Sequence, residues 1–132
     1  MALPLNIFKT VTKVVPLSPV GIYTSPVGYA SVVILAQVAN TGGTTETVTF
    51  SHQRTVAGSA VTTEIVKDFA IPSKDSASFL DGKLVLESND VLVISGSNSS
   101  NLKFTASVLE TLKWSGDRNK KWQNWLVVEY KD

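Results

Sequence analysis

The chain has 132 residues, with 12 Lys and Arg against 11 Asp and Glu, one histidine and no cysteine. This length predicts one domain with a sizeable core, and the missing cysteines exclude disulfides and thiolate metal sites and fit assembly in a reducing cytoplasm. A net charge of +1 offers no field to attract nucleic acid. The chain contains no run of about 18 apolar residues that would predict a membrane span, and its first residues lack the basic region and long apolar core of an export signal. We therefore expect no nucleic-acid partner, no membrane partner and no cofactor.

Residues 3–15 alternate between two faces, and two lysines, Lys9 and Lys13, share a face with Ile7 and Val11. This pattern predicts an edge strand whose lysines discourage pairing with another sheet. Two prolines in residues 16–19 interrupt ladder pairing, and a short strand is expected at residues 20–24, before a turn at residues 25–28.

Residues 29–40 form an almost continuous apolar run that is rich in Val and Ile, which predicts a central buried strand. Residues 45–54 alternate, with Val48, Phe50 and His52 on one face. The glycine-rich turn at residues 40–43 predicts that these two strands form a hairpin.

The next strand is expected at residues 61–71, with a bend, a bulge or an open edge at Lys67, because this lysine breaks an otherwise mostly apolar face. Three apolar runs, at residues 65–71, 83–87 and 91–95, are separated by turn residues. They predict an antiparallel meander.

Residues 102–112 alternate again, with Leu102, Phe104, Ala106 and Val108 on one face. About eight strands follow one another at intervals of about eight to twelve residues, and no segment has helical periodicity. This pattern predicts an all-β fold: an antiparallel β-sandwich or jelly roll over residues 1–112, with a strand-like C-terminal extension at residues 113–132. The predicted core is Val32, Ile34, Phe50, Ile65, Phe69, Leu84, Leu86, Val93, Phe104 and Val108.

No group of residues forms a catalytic or metal-binding pattern. His52 lacks partners at the spacing of a Ser-His-carboxylate triad or a metal site, so we interpret it as a half-buried histidine held by hydrogen bonds. The acidic residues Asp75, Asp81, Glu87 and Asp90 lack the spacing of a calcium loop and are interpreted as turn residues. We therefore expect no catalytic residues, no cofactor-binding residues and no metal ligands.

The extension carries every tryptophan of the chain, after a strand and around a polar run at residues 115–121. From residue 122 onward it alternates with apolar side chains on both faces, so its own sandwich could cover only one of them. We predict an assembly element, with a final strand inside the same sandwich as the alternative. The candidate assembly interface is Trp114, Trp122, Trp125, Leu126, Val128 and Tyr130.

Five turn-and-strand motifs follow one another along the chain: GIYTSPVG at residues 21–28, VVILAQVAN at 32–40, FAIP at 69–72, LDGKLVLE at 80–87 and NDVL at 89–92. Together they resemble small virion structural proteins of tailed bacteriophages, of the cyanophage and marine phage type. The resemblance spans about residues 3–112 and implies a non-enzymatic β-sandwich that is built into the particle in many copies.

The resemblance implies a location in the virion after assembly in the host cytoplasm, as head decoration or in the neck, collar, tail or baseplate. It also implies other virion proteins as partners and a homo-oligomeric state. The competing hypothesis is a host-surface or carbohydrate-binding module that uses the sandwich loops and the C-terminal tryptophans, because aromatic rings stack on sugars.

Overall fold

The computed structural model describes residues 6–112, which form nine β-strands and no helix. The strands are β1 (Asn6–Val14), β2 (Val20–Thr24), β3 (Tyr29–Asn40), β4 (Glu46–Val56), β5 (Ser59–Ile71), β6 (Ser76–Ser78), β7 (Leu84–Leu86), β8 (Val91–Gly96) and β9 (Leu102–Leu112). None of the described segments is a helix that is long and apolar enough to cross a membrane.

The strands form two antiparallel sheets. Sheet A has the order β1-β9-β3-β6, with β7 also paired to β3, and sheet B has the order β2-β8-β4-β5. If β6 and β7 are counted as one interrupted strand, this is the strand order of a jelly roll. The predicted all-β antiparallel sandwich is confirmed, and β3 lies inside its sheet as expected.

Two predicted pairings are wrong, because successive strands cross between the sheets. Strands β3 and β4 lie in different sheets rather than in a hairpin, and the predicted meander is divided, with β5 and β8 in sheet B and β7 in sheet A. The crossing after β3 is held by Asn40, whose side-chain amide donates to the carbonyl oxygens of Thr44 (2.8 Å) and Ile71 (3.0 Å) and accepts from the Gly42 N–H. A turn motif specifies a reversal of the chain, and it leaves open which strand becomes the partner.

The hairpin that the chain does form joins β4 and β5. Its turn residues Ala57 and Gly58 have φ angles of 52° and 82°, as a two-residue turn of type I′ requires. The β4–β5 register shifts on both sides of Phe50, and Asp68, next to Lys67, has a φ of 49°. Of the bend, bulge or open edge expected at Lys67, the structure shows a bulge, and it lies on a strand at the edge of sheet B.

The core lies between the two sheets and centres on Phe50 of sheet B. Its ring stacks on Phe79 at a centroid distance of 5.5 Å and contacts Phe104 of sheet A at 5.6 Å. The predicted inward face of β9 is confirmed, since its residues from Leu102 to Val108 at alternate positions are buried. Burial of aromatic rings from both sheets stabilises the sandwich as a unit.

The predicted core is correct in part. Phe50, Leu86, Phe104 and Val108 are buried, and Ile65 and Leu84 pack against the core at its margin. Val32, Ile34, Phe69 and Val93 were placed on the wrong face or at too great a depth: Ile34 and Phe69 are each 41% exposed, and Val32 and Val93 are only partly buried.

The error in β3 has a physical cause. An unbroken apolar run carries no period-2 signal, so the sequence does not show which of two neighbouring residues points inward. A register shift between Val33 and Leu35 places a bulge at Ile34, and the inward residues are Val33, Ala36 and Val38.

The burial of Val33 can be tested by its replacement with threonine, which keeps the shape and strand preference but adds a hydroxyl. Because Val33 is fully buried, Val33→Thr should lower the free energy of unfolding by about 1–3 kcal/mol in urea titrations. The control Val27→Thr, at a turn position that is 75% exposed, should change it by less than about 0.5 kcal/mol. Equal effects of the two substitutions would show that the phase of β3 is wrong.

Candidate assembly surface

An apolar row crosses the outer face of sheet A. Phe8 of β1 lies opposite Leu109 of β9, Leu109 lies opposite Val32 of β3, and Val32 lies opposite Val85 of β7. Their sequence neighbours on each strand face the core or its margin, so these four side chains point away from it. Phe8 is 76% exposed and Val85 is 56% exposed, while Val32 and Leu109 are partly buried by their neighbours.

On β1 and β9 the row is bordered by polar residues, whereas on β3 the apolar surface continues to Ile34, which is 41% exposed. Phe8 is followed on the same face of β1 by Thr10 and Thr12, and Leu109 is preceded on β9 by Thr105 and Ser107. Neighbouring strands lie about 4.8 Å apart, so four strands give a row about 14 Å wide. Localised exposed apolar side chains within a polar face are typical of a protein–protein contact surface.

Sheet B presents a polar surface instead. A depression of about 380 Å³ on it is lined mainly by hydroxyl, amide and charged side chains from β4, β5 and β8. The lining residues are Pro19, Thr49, Ser51, Gln53, Thr62, Glu64, Lys67, Asp68, Val93 and Ser95. This depression holds no aromatic ring on which a sugar could stack.

The predicted interface residues Trp114, Trp122, Trp125, Leu126, Val128 and Tyr130 lie outside the described residues, and so does the predicted boundary between residues 1–112 and 113–132. Both remain predictions. The sequence analysis did not identify the apolar row, although Phe8 and Val85 were visible as apolar residues. The row exists only through the pairing register, which the sequence pattern left open.

His52 belongs to a polar cluster that fixes the loop before β8. Its Nε2 lies 3.0 Å from Oδ2 of Asp90, and the same oxygen accepts the Glu87 N–H at 2.9 Å and approaches Nε of Arg54 at 3.3 Å. Arg54 also pairs with the Glu87 carboxylate at 3.0 Å. Each of the four residues of this cluster contacts at least one other member, which fits the interpretation of His52 as a histidine held by hydrogen bonds.

Asp90 is the centre of this cluster, and its side chain is only 6% exposed. Burial acts to raise the pKa of Asp90, but the Glu87 N–H, His52 and Arg54 together outweigh burial, so the pKa of Asp90 lies below its ordinary value. The carboxylate therefore stays ionised at neutral pH. Of the four acidic residues considered as calcium ligands, Glu87 and Asp90 both contact Arg54, and within residues 6–112 no group of three or more His, Asp and Glu residues is arranged to hold a metal ion.

A second polar cluster lies between the sheets and includes the buried carboxylate Glu110, which is 2% exposed. The Tyr23 hydroxyl, from sheet B, donates to Glu110 and lies 2.9 Å from Oγ of Ser31, which in turn lies 2.8 Å from Oγ of Ser25. Lys9 of the edge strand β1 pairs with the same Glu110 oxygen at 3.4 Å. This cluster links β2 of sheet B with β1, β3 and β9 of sheet A.

Burial, and then the hydrogen bond to Glu110, raise the pKa of Tyr23. The hydroxyl therefore remains protonated and acts as a donor. The sequence analysis did not identify this cluster. The sequence did contain a sign of this cluster. The inward face of β9 continues past Val108, and the next inward position is Glu110, a carboxylate.

The Asp90 cluster predicts a pH-dependent contribution to stability. The pKa of Asp90 is depressed in the folded state, so its contribution is complete above the unfolded value of about 3.9 and is lost as the pH falls through the folded value. Asp90→Asn should lower the melting temperature at pH 7, and the difference from the parent protein should shrink as the pH falls below the unfolded value of about 3.9. Thermal denaturation followed by circular dichroism measures both.

Asp81→Asn serves as the matched control, because Asp81 lies in an exposed turn and forms no ion pair with the described residues. Its melting temperature should follow that of the parent protein at both pH values. A difference for Asp90→Asn that is constant with pH would contradict the assignment of this carboxylate as the stabilising charge.

The Glu110 cluster predicts that Tyr23→Phe destabilises the protein, because the buried carboxylate loses a donor while its burial is unchanged. The expected loss in the free energy of unfolding is about 1–3 kcal/mol in urea titrations. Tyr29→Phe is the control, since the Tyr29 hydroxyl has no hydrogen-bond partner among residues 6–112 and its loss should have little effect. Similar losses in both variants would argue against the cluster.

Comparison with known proteins gives no family assignment. No protein-family model matches the chain, and no curated protein matches it. Among solved structures, a chain from the T13 viral particle of infectious bursal disease virus has a TM-score of 0.51 at 10% identity, over 83% of this chain and 32% of that one.

Two further structures of similar length also match. A chain from the capsid of Helicobacter pylori bacteriophage KHP30 has a TM-score of 0.49 at 14% identity, over 84% of this chain and 90% of that one. A chain from the disulfide-linked pili that form Bacillus endospore appendages has a TM-score of 0.47 at 16% identity, over 83% and 88%. Identities this low bear on the fold alone, and the fold of the viral particle chain agrees with the jelly roll found here.

Proposed function

We propose that this chain is a non-enzymatic structural protein of a virus particle, present in many copies and held in place by contacts between subunit surfaces. The observation that carries the proposal is the apolar row on the outer face of sheet A, formed by Phe8, Leu109, Val32 and Val85. These side chains contribute little to the core of their own subunit, and their exposure is explained if another protein covers them.

The use of the polar side chains supports a structural role. His52 is held by Asp90 at the edge of a loop, and the Glu110 carboxylate is buried and accepts a hydrogen bond from Tyr23 of the opposite sheet. A general base or nucleophile must reach a reacting atom in a cleft. The described polar clusters instead bind strands and loops of the fold together.

The jelly-roll fold is compatible with this role, and a chain of a viral particle has a similar fold. Fold alone does not define function, so the proposal depends on the surface. The sequence motifs narrow the proposal to a tailed bacteriophage of the cyanophage and marine type. There the protein would be assembled in the host cytoplasm and would occupy the head surface, the neck or collar, or the tail.

We propose in addition that the C-terminal residues Trp114, Trp122, Trp125, Leu126, Val128 and Tyr130 take part in assembly. Tryptophan and tyrosine are the residues that most often anchor protein interfaces, and this chain concentrates its tryptophans in one segment of twenty residues. Covalent linkage through disulfides is closed to this chain because it contains no cysteine.

The test is the protein composition of virus particles purified by density gradient from the source of the gene. Quantitative mass spectrometry should find the chain in many copies per particle, and the purified protein should form oligomers in analytical ultracentrifugation. Antibody labelling of the same particles in the electron microscope would then separate head, neck and tail positions.

Particles that lack the chain would overturn the proposal. The hypothesis of a carbohydrate-binding module would gain support if the purified protein bound host-surface polysaccharide with a stoichiometry of one per chain. The matched control for that measurement is a variant with Trp122 and Trp125 replaced by serine.

A further inference from the structure

We infer that the apolar row of Phe8, Leu109, Val32 and Val85 is the docking site for residues 122–130 of a neighbouring copy of this chain. The inference rests on the proposed function, because it names the partner of the assembly surface. The receptor is described in full by the pairing register of four strands of sheet A.

The edge of β1 is guarded against the addition of a further strand. Within residues 6–112 β1 pairs only with β9, and its inward-phase positions carry Lys9 and Lys13. Lys9 is already committed to Glu110 at 3.4 Å. Inward-pointing charges on an edge strand oppose edge-to-edge pairing.

The edge of β5 is guarded in another way. Its pairing with β4 contains two register shifts, and Asp68 adopts a left-handed conformation with a φ of 49°. Bulges of this kind twist an edge out of the geometry that a new strand requires. Contact through the face of sheet A is therefore favoured over extension of either sheet at its long edges.

The C-terminal segment has the composition that such a face requires. Apolar side chains occupy alternate positions from Trp122 through Leu126 and Val128 to Tyr130, so an extended segment would present one continuous apolar side. An extended stretch of nine residues spans about 30 Å, so it is long enough to cross the full width of the row, which is about 14 Å. Its apolar side can therefore cover all four side chains of the row.

The direction of β9 favours a neighbouring copy over the same copy. Leu109 belongs to the row, and the chain leaves the described region three residues later at Leu112, moving away from the row. A segment that continues in this direction reaches past its own subunit, whereas occupation of its own row requires a full reversal. In a multicopy assembly the next subunit supplies an identical row.

The tryptophans allow a direct test, because all three lie in residues 113–132 and none lies in residues 6–112. Their fluorescence therefore reports on residues 113–132, and with Trp114→Phe in every sample it reports on the docking segment alone. At concentrations where ultracentrifugation shows oligomers, the emission should be blue-shifted and protected from acrylamide, and both properties should be lost on dilution to monomers. Emission typical of tryptophan in water at every concentration would overturn the inference.

The receptor is tested with Val85→Thr and the matched control Val56→Thr. Both valines lie on strands and are similarly exposed, at 56% and 52%, but Val56 belongs to sheet B. The row variant carries Phe8→Thr and Val85→Thr together. Its tryptophan emission should shift to the red and its oligomerisation should weaken by about tenfold or more, whereas Val56→Thr should leave both unchanged. Unchanged emission in the row variant would overturn the docking site.

A mixing experiment distinguishes the two copies. A full-length chain with Trp114→Phe, Trp122→Ser and Trp125→Ser is silent in fluorescence but keeps an intact row. When it is added to the row variant, tryptophan emission should return to the blue, because the segments of the row variant can dock on the intact rows. Red emission that persists in the mixture would show docking within one copy and would overturn the inference.

Failure of this inference is distinguishable from failure of the proposed function. If row variants keep their emission while the protein is still found in many copies in purified particles, the virion role stands and the docking site is wrong. If the emission behaves as expected while particles lack the chain, the protein self-assembles through the row but has no virion role.

Discussion

The packing of Phe50 against Phe79 and Phe104 is the interaction on which the two-layer structure depends. It joins sheet B to sheet A at the centre of the core. From these positions, alternation along each strand sets whether a side chain points into the core or to the outer face. Once Phe104 points inward on β9, Leu109 must point outward. The apolar row is therefore a consequence of the same register that builds the core.

The sequence predicted the strands well and their partners poorly. The bounds of β2 and β9 agree with the expectation, because alternation and turn residues mark both segments clearly. The hairpin expected between β3 and β4 failed because glycine-rich turns also serve connections between sheets, and here Asn40 holds the crossing. Pairing is decided by long-range packing, which a local pattern does not encode.

The phase of an apolar strand is the second limit. In β9 the polar residues Lys103, Thr105 and Ser107 mark the outer face, and the prediction was correct. In β3 the run around Val32 and Val33 contains no such marker, and a bulge at Ile34 shifts the phase within the strand. The apolar row could not be predicted from the sequence for the same reason, since it is recognised only when the register of four strands is known.

The outer face of sheet A shows why the row requires an explanation outside the monomer. Alternation assigns the inner face to the core, so outward side chains contribute little to folding, and threonine serves there as well as leucine does. Thr10, Thr105 and Ser107 follow that expectation on the strands that carry Phe8 and Leu109. Val32 and Leu109 are partly buried by their neighbours in the sheet, but the remaining exposed area of the four apolar residues leaves water only when another surface covers it. Because lysines and bulges guard the long edges, the proposed contact through this face would let the sandwich associate without merging its sheets with those of its neighbours.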